Sequence, residues 1–393
     1  MKIGINASFA RKASSGIGQV TTNFLKKLAV SNSKFKVSKD EKLEFFLYLE
    51  EDLPNDIKLP KNFEKRIFLP FWKRDDLIRK LLWEKYYLPR MAKQDGCDVF
   101  LSLYQCPTIM PVKIKHLMVV HDIVPKLFPG YLNNLRKKIY WSWTEKAIRR
   151  ANKILAVSVK TEKDLIQHLE VEAKKITVDY IDCDEIYKKD VDMKHVSSLL
   201  KKYKLKPGYI YTGGGLEVRK NTEGVIRAYK YLLETNKNSY FIKELPQLVI
   251  SGKLMPQLAP LVTDVDKLVR ELNLTSHVQV LGFVNQSDLP AMYASASMFV
   301  YPSQYEGFGL PVLEAMAVGT AVVTSKKSSL PEVGLDSVLY CNPDDTHDIA
   351  MVMKNVLLNA ELRSVLARRG KERSVQFSWD KFIEKFFNII KEL

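Results

Sequence analysis

The chain has 393 residues, too many for one ordinary core and suited to two domains. Its 46% hydrophobic content excludes a disordered chain, and no run approaches about 18 apolar residues, which excludes a spanning helix. The net charge of +16 is uneven: residues 1–190 hold 36 Lys and Arg against 24 Asp and Glu, the remainder 25 against 21, so the first half is the part suited to an anionic surface, nucleic acid or a phosphorylated acceptor. Cys97, Cys106, Cys183 and Cys341 lack metal-binding or redox-motif spacing, which argues against a disulfide framework or a zinc site and fits a reducing cytoplasm.

In chain order, MKIGINASFA reads as a first buried strand; it lacks the long apolar run of a signal peptide. NASFARKASSGIGQV follows as a loop, with Gly16 and Gly18 leading into a helix, where amides can meet an anion or a sugar. FFLYL, DVFLS, HLMVVHD and ILAVS are further strand-like runs. Between the first two of these, FWKRDDLIRKLLWEKYYLPRMAKQ sets Leu77, Ile78, Leu81 and Leu82 at helical spacing, with Trp72, Trp83 and several basic residues nearby. Such a helix either lies on an anionic bilayer or turns its leucines to the core, the commoner outcome. HLMVVHDIVPKLFP closes a strand at His121, where the imidazole can donate or accept a hydrogen bond; a lone histidine there is more often structural.

The charged stretch 183–208 contains no buried strand and ends in Pro207-Gly208, so residues 191–208 read as a linker. Strand-like runs then resume with YIYTGG, QLVISG, VQVLGF, MFVYPS and AVVTS, alternating with helical patterns such as GVIRAYKYLLE and LAPLVTDVDKLVREL. The alternation predicts parallel sheets covered by helices on both faces, with ligands beyond the carboxyl ends of the strands. There stands YTGGGLEVRKN, whose glycines, including Gly214 and Gly215, precede Arg219 and Lys220, cations suited to a diphosphate. After MFVYPS comes EGFGLPVLEAMAVG. Glu306 falls on a loop, Pro311 opens a helix, Glu314 falls on its first turn and Gly319 ends it. Amides at that helix start suit phosphate, and the two carboxylates suit sugar or ribose hydroxyls.

These motifs, with LVISGK, VQVLGFVNQSDLPAMYASASMFVYPS, ILAVSVKTEKDL and FSWDKF in the same order, resemble the family-4 retaining glycosyltransferases, with their two glutamates eight residues apart. The resemblance is densest from Tyr209 to Val333. It implies an α/β GT-B fold: two Rossmann-like doubly wound domains facing a cleft. Residues 1–190 form an acceptor-binding domain, 191–376 a nucleotide-sugar-binding domain, and 377–393 a helix crossing back to the first domain. It also implies that Glu314 binds ribose hydroxyls and Glu306 hydroxyls of the transferred sugar. Phe308, Gly309 and Leu310 offer amides to sugar and phosphate, and Arg219 and Lys220 hold the diphosphate. Gly252, Lys253, Gly282 and Phe283 lie near the base; His121 contacts the sugar; Gly16 and Gly18 approach the diphosphate or acceptor.

Retention of configuration comes with the resemblance, as does front-face attack in which the donor phosphate takes the acceptor proton. No metal or other cofactor is expected: Asp182-Cys183-Asp184, Asp190-Val191-Asp192 and Asp264-Val265-Asp266 copy a metal-binding D-x-D but fall on the linker, its edge, or a helical pattern. The variants in VVHDIVPKLFP and GGGLEVRKN look most like bacterial mannosyltransferases of polysaccharide and lipopolysaccharide assembly. The expected partners are GDP-mannose or a UDP-sugar, a saccharide or lipid-linked acceptor, and an anionic membrane surface at the inner face of the cytoplasmic membrane. A nucleotide-sugar 2-epimerase shares the fold and is the alternative enzyme. A nucleic-acid binder is the remote one, and no motif for nucleic acid is present.

Overall fold

The structure is a computed structural model and describes residues 1–31, 42–68, 76–236 and 245–393. The chain divides into two units, one of residues 1–182 with 377–393 and one of residues 183–376. The first break therefore falls at Asp182–Cys183, ahead of the expected boundary at 190.

The first unit is built on a seven-stranded sheet: β1 (Lys2–Asn6), β2 (Glu44–Leu49), β3 (Phe63–Ile67), β4 (Val99–Ser102), β5 (Lys115–Val120), β6 (Lys153–Ala156) and β7 (Ile176–Val178). Its order is β3-β2-β1-β4-β5-β6-β7, and every pairing is parallel. Central strands such as VFLS in β4 are buried throughout, because helices in the crossovers cover the sheet. The edge strand β3, FEKRI, buries no residue fully, and β7 is three residues long; neither carries the apolar run by which a strand is recognised in sequence.

The second unit holds six strands: β8 (Tyr209–Thr212), β9 (Leu248–Ser251), β10 (Val278–Gly282), β11 (Ala296–Tyr301), β12 (Val322–Ser325) and β13 (Leu339–Cys341). They run in the order β10-β9-β8-β11-β12-β13, again parallel. Ile210, Ile250, Val300 and Val323 from the sheet pack with Val225, Ile226 and Tyr229 from helix Thr222–Asn236 and Ile349 and Met353 from helix Thr346–Leu358. In each sheet the strand order reverses at one point, between β1 and β4 in the first and between β8 and β11 in the second. Connections leave in opposite directions there, which opens a crevice outside the carboxyl ends of the strands.

Two expectations about local structure are corrected. The stretch 191–208 is no extended linker: Met193–Tyr203 is a helix, capped by Asp192, that buries Val196 and Leu199 in the second unit. Its Lys202 Nζ bonds Asp288 Oδ2 at 2.7 Å. The pattern LAPLVTDVDKLVREL becomes helix only from Val265 to Glu271, because Asp264 caps it by accepting from the Lys267 amide.

Residues 379–392 form the last helix, capped by Ser378. Phe382, Ile383, Phe386, Phe387 and Ile390 recur at helical spacing and are buried, at roughly 1.5–3 kcal/mol for each large apolar side chain. Phe24, from helix Gly16–Ser31, meets Phe382 and Phe386 edge-on at 6.0 and 5.6 Å, and Lys27 pairs with Asp380 at 2.6 Å. The helix thus completes the first unit.

Candidate active site

The site of the second unit lies where its strand order reverses, on the segments following β8 and β11. Gly214, at φ +89°, leaves the chain in a conformation that side chains resist, and a β-carbon there would come within 2.7 Å of Pro311 Cγ. The missing side chain lets the loop after β8 press onto the helix after β11. That helix, Leu310–Val318, has Gly309 as its cap, at φ +109°, and Pro311 in its first turn. The first amides of a helix lack intrahelical partners, so the Leu310 amide stands at an anion-favouring end. Phe308 is buried, and Ser329 Oγ donates to the Glu306 and Phe308 carbonyls at 2.9 and 2.8 Å, which pins the loop.

Glu306 is 9% exposed. Its Oε1 accepts from Arg219 Nη1 at 2.8 Å, Tyr301 Oη at 2.7 Å and Ser303 Oγ at 3.0 Å. Burial works against its charge, but Arg219, Lys220 and the two hydroxyls together hold its carboxyl below the usual carboxylate range. Arg219 also donates to the Tyr305 carbonyl at 2.7 Å. The expected diphosphate cation is therefore engaged with the first glutamate, and it braces the loop after β11 from the loop after β8.

Glu314 sits at the fifth position of its helix, on the second turn and not the first as its spacing predicted. It is 4% exposed, and its Oε2 accepts from Tyr293 Oη at 3.0 Å. Burial pushes its carboxyl up to about 7, against the opposing influence of tyrosine hydroxyls and Lys220. A helix-dipole role does not explain a buried carboxyl on a second turn. Lys220 Nζ bonds the Gly214 carbonyl and lies 3.5 Å from Glu217 Oε2. From that turn its charge favours the ionised form of both Glu306 and Glu314.

Gly215 completes the turn after β8. Gly252 and Lys253 follow β9, and Gly282 and Phe283 close β10; the Gly252 amide bonds the Gly282 carbonyl at 2.8 Å. Lys253 and Phe283 are exposed. Tyr293, Tyr301, Ser303 and Ser329 carry no motif of their own; they enter the site only because strand and helix packing aims them at the glutamates.

His121, Gly16 and Gly18 belong to the first unit. His121 is 8% exposed, its Nε2 is 2.9 Å from the Leu103 carbonyl, and burial lowers its basicity. Gly16 starts its helix beside open space, whereas Gly18 lies tight against the Lys12 carbonyl. The three D-x-D look-alikes each supply a helix cap: Asp184 accepts from the Ile186 amide, Asp192 from Lys194 and Asp264 from Lys267. Among the described residues, no three His, Cys, Asp or Glu gather as a metal site.

The chain has known relatives. Residues 197–373 match the family Glycosyl transferases group 1, and residues 48–180 match Glycosyltransferase Family 4. The chain is similar to O-antigen chain mannosyltransferase B of Escherichia coli, 29% identical over 385 residues, covering 96% of each chain. It is 30% identical over 269 residues to the serotype-specific mannosyltransferase WbdA of Escherichia coli, a match that covers 67% of this chain and 32% of WbdA. Among solved structures it resembles Anabaena Alr3699/HepE in complex with UDP-glucose, with TM-score 0.72, 16% identity and 100% of each chain covered. Both family matches are to glycosyltransferases and together they take in more than half of the chain: the protein is a glycosyltransferase of GT-B fold.

Proposed function

We propose that this glycosyltransferase moves mannose from GDP-mannose to a saccharide or lipid-linked saccharide acceptor in surface polysaccharide assembly, with retention of configuration and without a divalent ion. The observation that carries the reading is the pair of buried carboxylates, Glu306 and Glu314, on the segment after β11, against the loop after β8 that carries Arg219 and Lys220, where the second sheet reverses its strand order. Glu314 receives the ribose hydroxyls and Glu306 the hydroxyls of the sugar. Lys220 and the Leu310 amide at the start of helix Leu310–Val318 meet the negative charge that grows on the departing phosphate. Arg219 acts on that charge from behind Glu306. No side chain is cast as a nucleophile, and the donor phosphate takes the acceptor proton. The sugar is proposed from the names of the two mannosyltransferase relatives.

A UDP-sugar donor is the second reading, favoured by the likeness to a structure that holds UDP-glucose. Melting midpoints measured with GDP-mannose, UDP-glucose and ADP-glucose separate the donors, since a ligand that prefers the native state raises the midpoint. A shift with GDP-mannose alone supports the first reading, and a shift with UDP-glucose alone replaces it. Anomeric proton spectra of the product test retention, and turnover in excess chelator tests independence from metal. Free nucleotide and an altered sugar, formed with no acceptor, would identify an epimerase instead.

A basic, partly apolar surface on the first unit supports a peripheral site of action on the inner face of the cytoplasmic membrane. Helical residues Asp76–Gln94 split the leucines: Leu77 and Leu81 are half-buried, while Ile78, Leu82 and Tyr86 are exposed. Trp83 is buried, and Trp72 lies outside the described residues. Helix Leu135–Arg150 runs alongside, with Lys85 over the ring of Trp143, and adds exposed Leu135 and Ile139 beside Arg136, Lys137 and Lys138. Among the described residues, no helix is long and apolar enough to cross a membrane.

A further inference from the structure

A segment that falls between the two family matches, residues 181–196, reaches the donor site of the second unit. Within it Asp184 caps a single 3-10 turn, Glu185–Tyr187, by accepting from the Ile186 amide at 3.0 Å. That turn packs against helix Leu310–Val318, which carries Glu314. It brings in Tyr187, a fully buried side chain. The Tyr187 ring meets the Tyr293 ring edge-on at 6.1 Å, and Tyr293 is the residue that donates to Glu314 Oε2.

Three tyrosines in this cluster differ in what their hydroxyls do. Tyr211, whose ring stands 5.4 Å from that of Tyr293, shares a hydrogen bond with Ser251 Oγ at 2.6 Å. Tyr293 is spent on Glu314. The Tyr187 hydroxyl has no hydrogen-bond partner among the described residues. A buried donor left unmet costs free energy, so a phenol kept there in place of a phenylalanine calls for a state in which its hydroxyl is used. Burial pushes that phenol well above its ordinary value, so it stays protonated and able to donate.

Glu314 is the acceptor that such a state supplies. Burial raises its carboxyl to about 7; Tyr293, Tyr187 and Lys220 favour the ionised form, Asp184 opposes it, and Tyr211 is the other titratable group that senses it. An ionised carboxylate offers about four acceptor positions on two oxygens, enough for two phenols and two ribose hydroxyls at once. The neutral acid offers fewer, and its own proton is one more donor to be placed.

We infer that Tyr187 is a positioning residue for the nucleotide: when Glu314 gives up its proton, the unmet hydroxyl turns to the carboxylate beside that of Tyr293, and the two phenols on one oxygen leave the other for the ribose. In this step the carboxyl O–H bond breaks, its electron pair stays on Glu314 and its proton passes to the buffer. The ribose contact rests on the proposed role of Glu314; the pairing of Tyr187 with Glu314 does not.

Calorimetric titration of the full chain with GDP-mannose and with UDP-glucose tests this, at pH 6 and pH 8.5 in two buffers of different ionisation enthalpy. The diphosphate diesters of these ligands do not titrate in that range. The wild type is expected to release about one proton per nucleotide at pH 6 and almost none at pH 8.5. Glu314→Gln is expected to release none at either. Tyr187→Phe is expected to bind about tenfold more weakly at pH 6 and nearly as well as the wild type at pH 8.5, because only at the lower pH does the charge that its hydroxyl meets form on binding. Lost packing alone weakens binding equally at both. Equal weakening at the two pH values, or none, therefore overturns the role of Tyr187. Binding at pH 6 without proton release, or release retained in Glu314→Gln, overturns it too. The wild-type proton count needs no variant, so a folding defect in Tyr187→Phe leaves the proposal open to refutation. Binding of neither ligand by the wild type defeats the donor reading and this role with it, whereas binding with the wrong pH signature defeats this role alone.

Discussion

Arg219 Nη1 stands 2.8 Å from Glu306 Oε1, so a cation from the loop after β8 is spent on the carboxylate of the loop after β11. The pair is largely buried, with 14% and 11% of the two side chains exposed. Removing one partner leaves an uncompensated charge, at a cost of about 3–5 kcal/mol, whereas removing both costs far less. Arg219→Met is therefore expected to lower the urea midpoint strongly, and Arg219→Met with Glu306→Gln to recover most of it. If the double variant is as unstable as the sum of the singles, Arg219 and Glu306 act independently.

Glu314 makes the ligand-free protein sensitive to pH. Its folded value of about 7 lies above the 4.5 of a free glutamate. Below pH 4.5 both states bind the proton, and the site adds no dependence. Between 4.5 and 7 the unfolded chain ionises first, so stability falls, by a few kcal/mol in all, and levels off above 7. Glu314→Gln lacks that loss. Its melting midpoint is expected to rise relative to the wild type between pH 5 and 8; a constant difference across that range would show that Glu314 ionises normally.

In the proposed reaction the same carboxylate also receives the ribose hydroxyls, which bond the charged form better, so donor affinity is expected to depend on pH. Titration of GDP-mannose by calorimetry is expected to give tighter binding at pH 8 than at pH 6 in the wild type and no such trend in Glu314→Gln. A trend retained in the variant would transfer the dependence to another group.

Lys220 has a different expected signature. Lys220→Ala is expected to lower kcat by a factor on the order of 10² or more, with a smaller change in donor affinity, because the charge it is proposed to meet grows as the bond breaks. A near-normal kcat would remove Lys220 from the reaction and leave it bracing the Gly214 turn.

The exposed flank of the first unit is tested with vesicles. Binding to phosphatidylglycerol vesicles is expected to weaken with salt and to fall in a Leu82→Glu, Leu135→Glu variant, each nearby Lys or Arg contributing about 1 kcal/mol at low salt. Equal recovery of protein with neutral and anionic vesicles would end the membrane assignment without touching the transferase.

Much of this was legible in sequence for physical reasons. The parallel sheets showed as apolar runs because central strands are buried on both faces, while FEKRI and LYC did not, being edge strands with solvent on one side. The loop Glu306–Leu310 announced itself because close backbone approach requires glycine. Its support did not. Tyr293 and Tyr301 look like ordinary core aromatics until the fold brings their hydroxyls to Glu314 and Glu306. The packing of Gly214 on Pro311 joins positions that nothing along the chain connects. Asp264 misread as a helical residue because an acidic cap continues the polar face of the helix it starts.

The helix 379–392 has a consequence for synthesis. Phe24 near the start of the chain waits for Phe382 and Phe386, and the whole second unit is translated in between. On the ribosome the later unit can therefore mature before the earlier one is complete. A nascent chain stalled after residue 376 would present a greasy, unclosed surface on its oldest part, a natural target for chaperones.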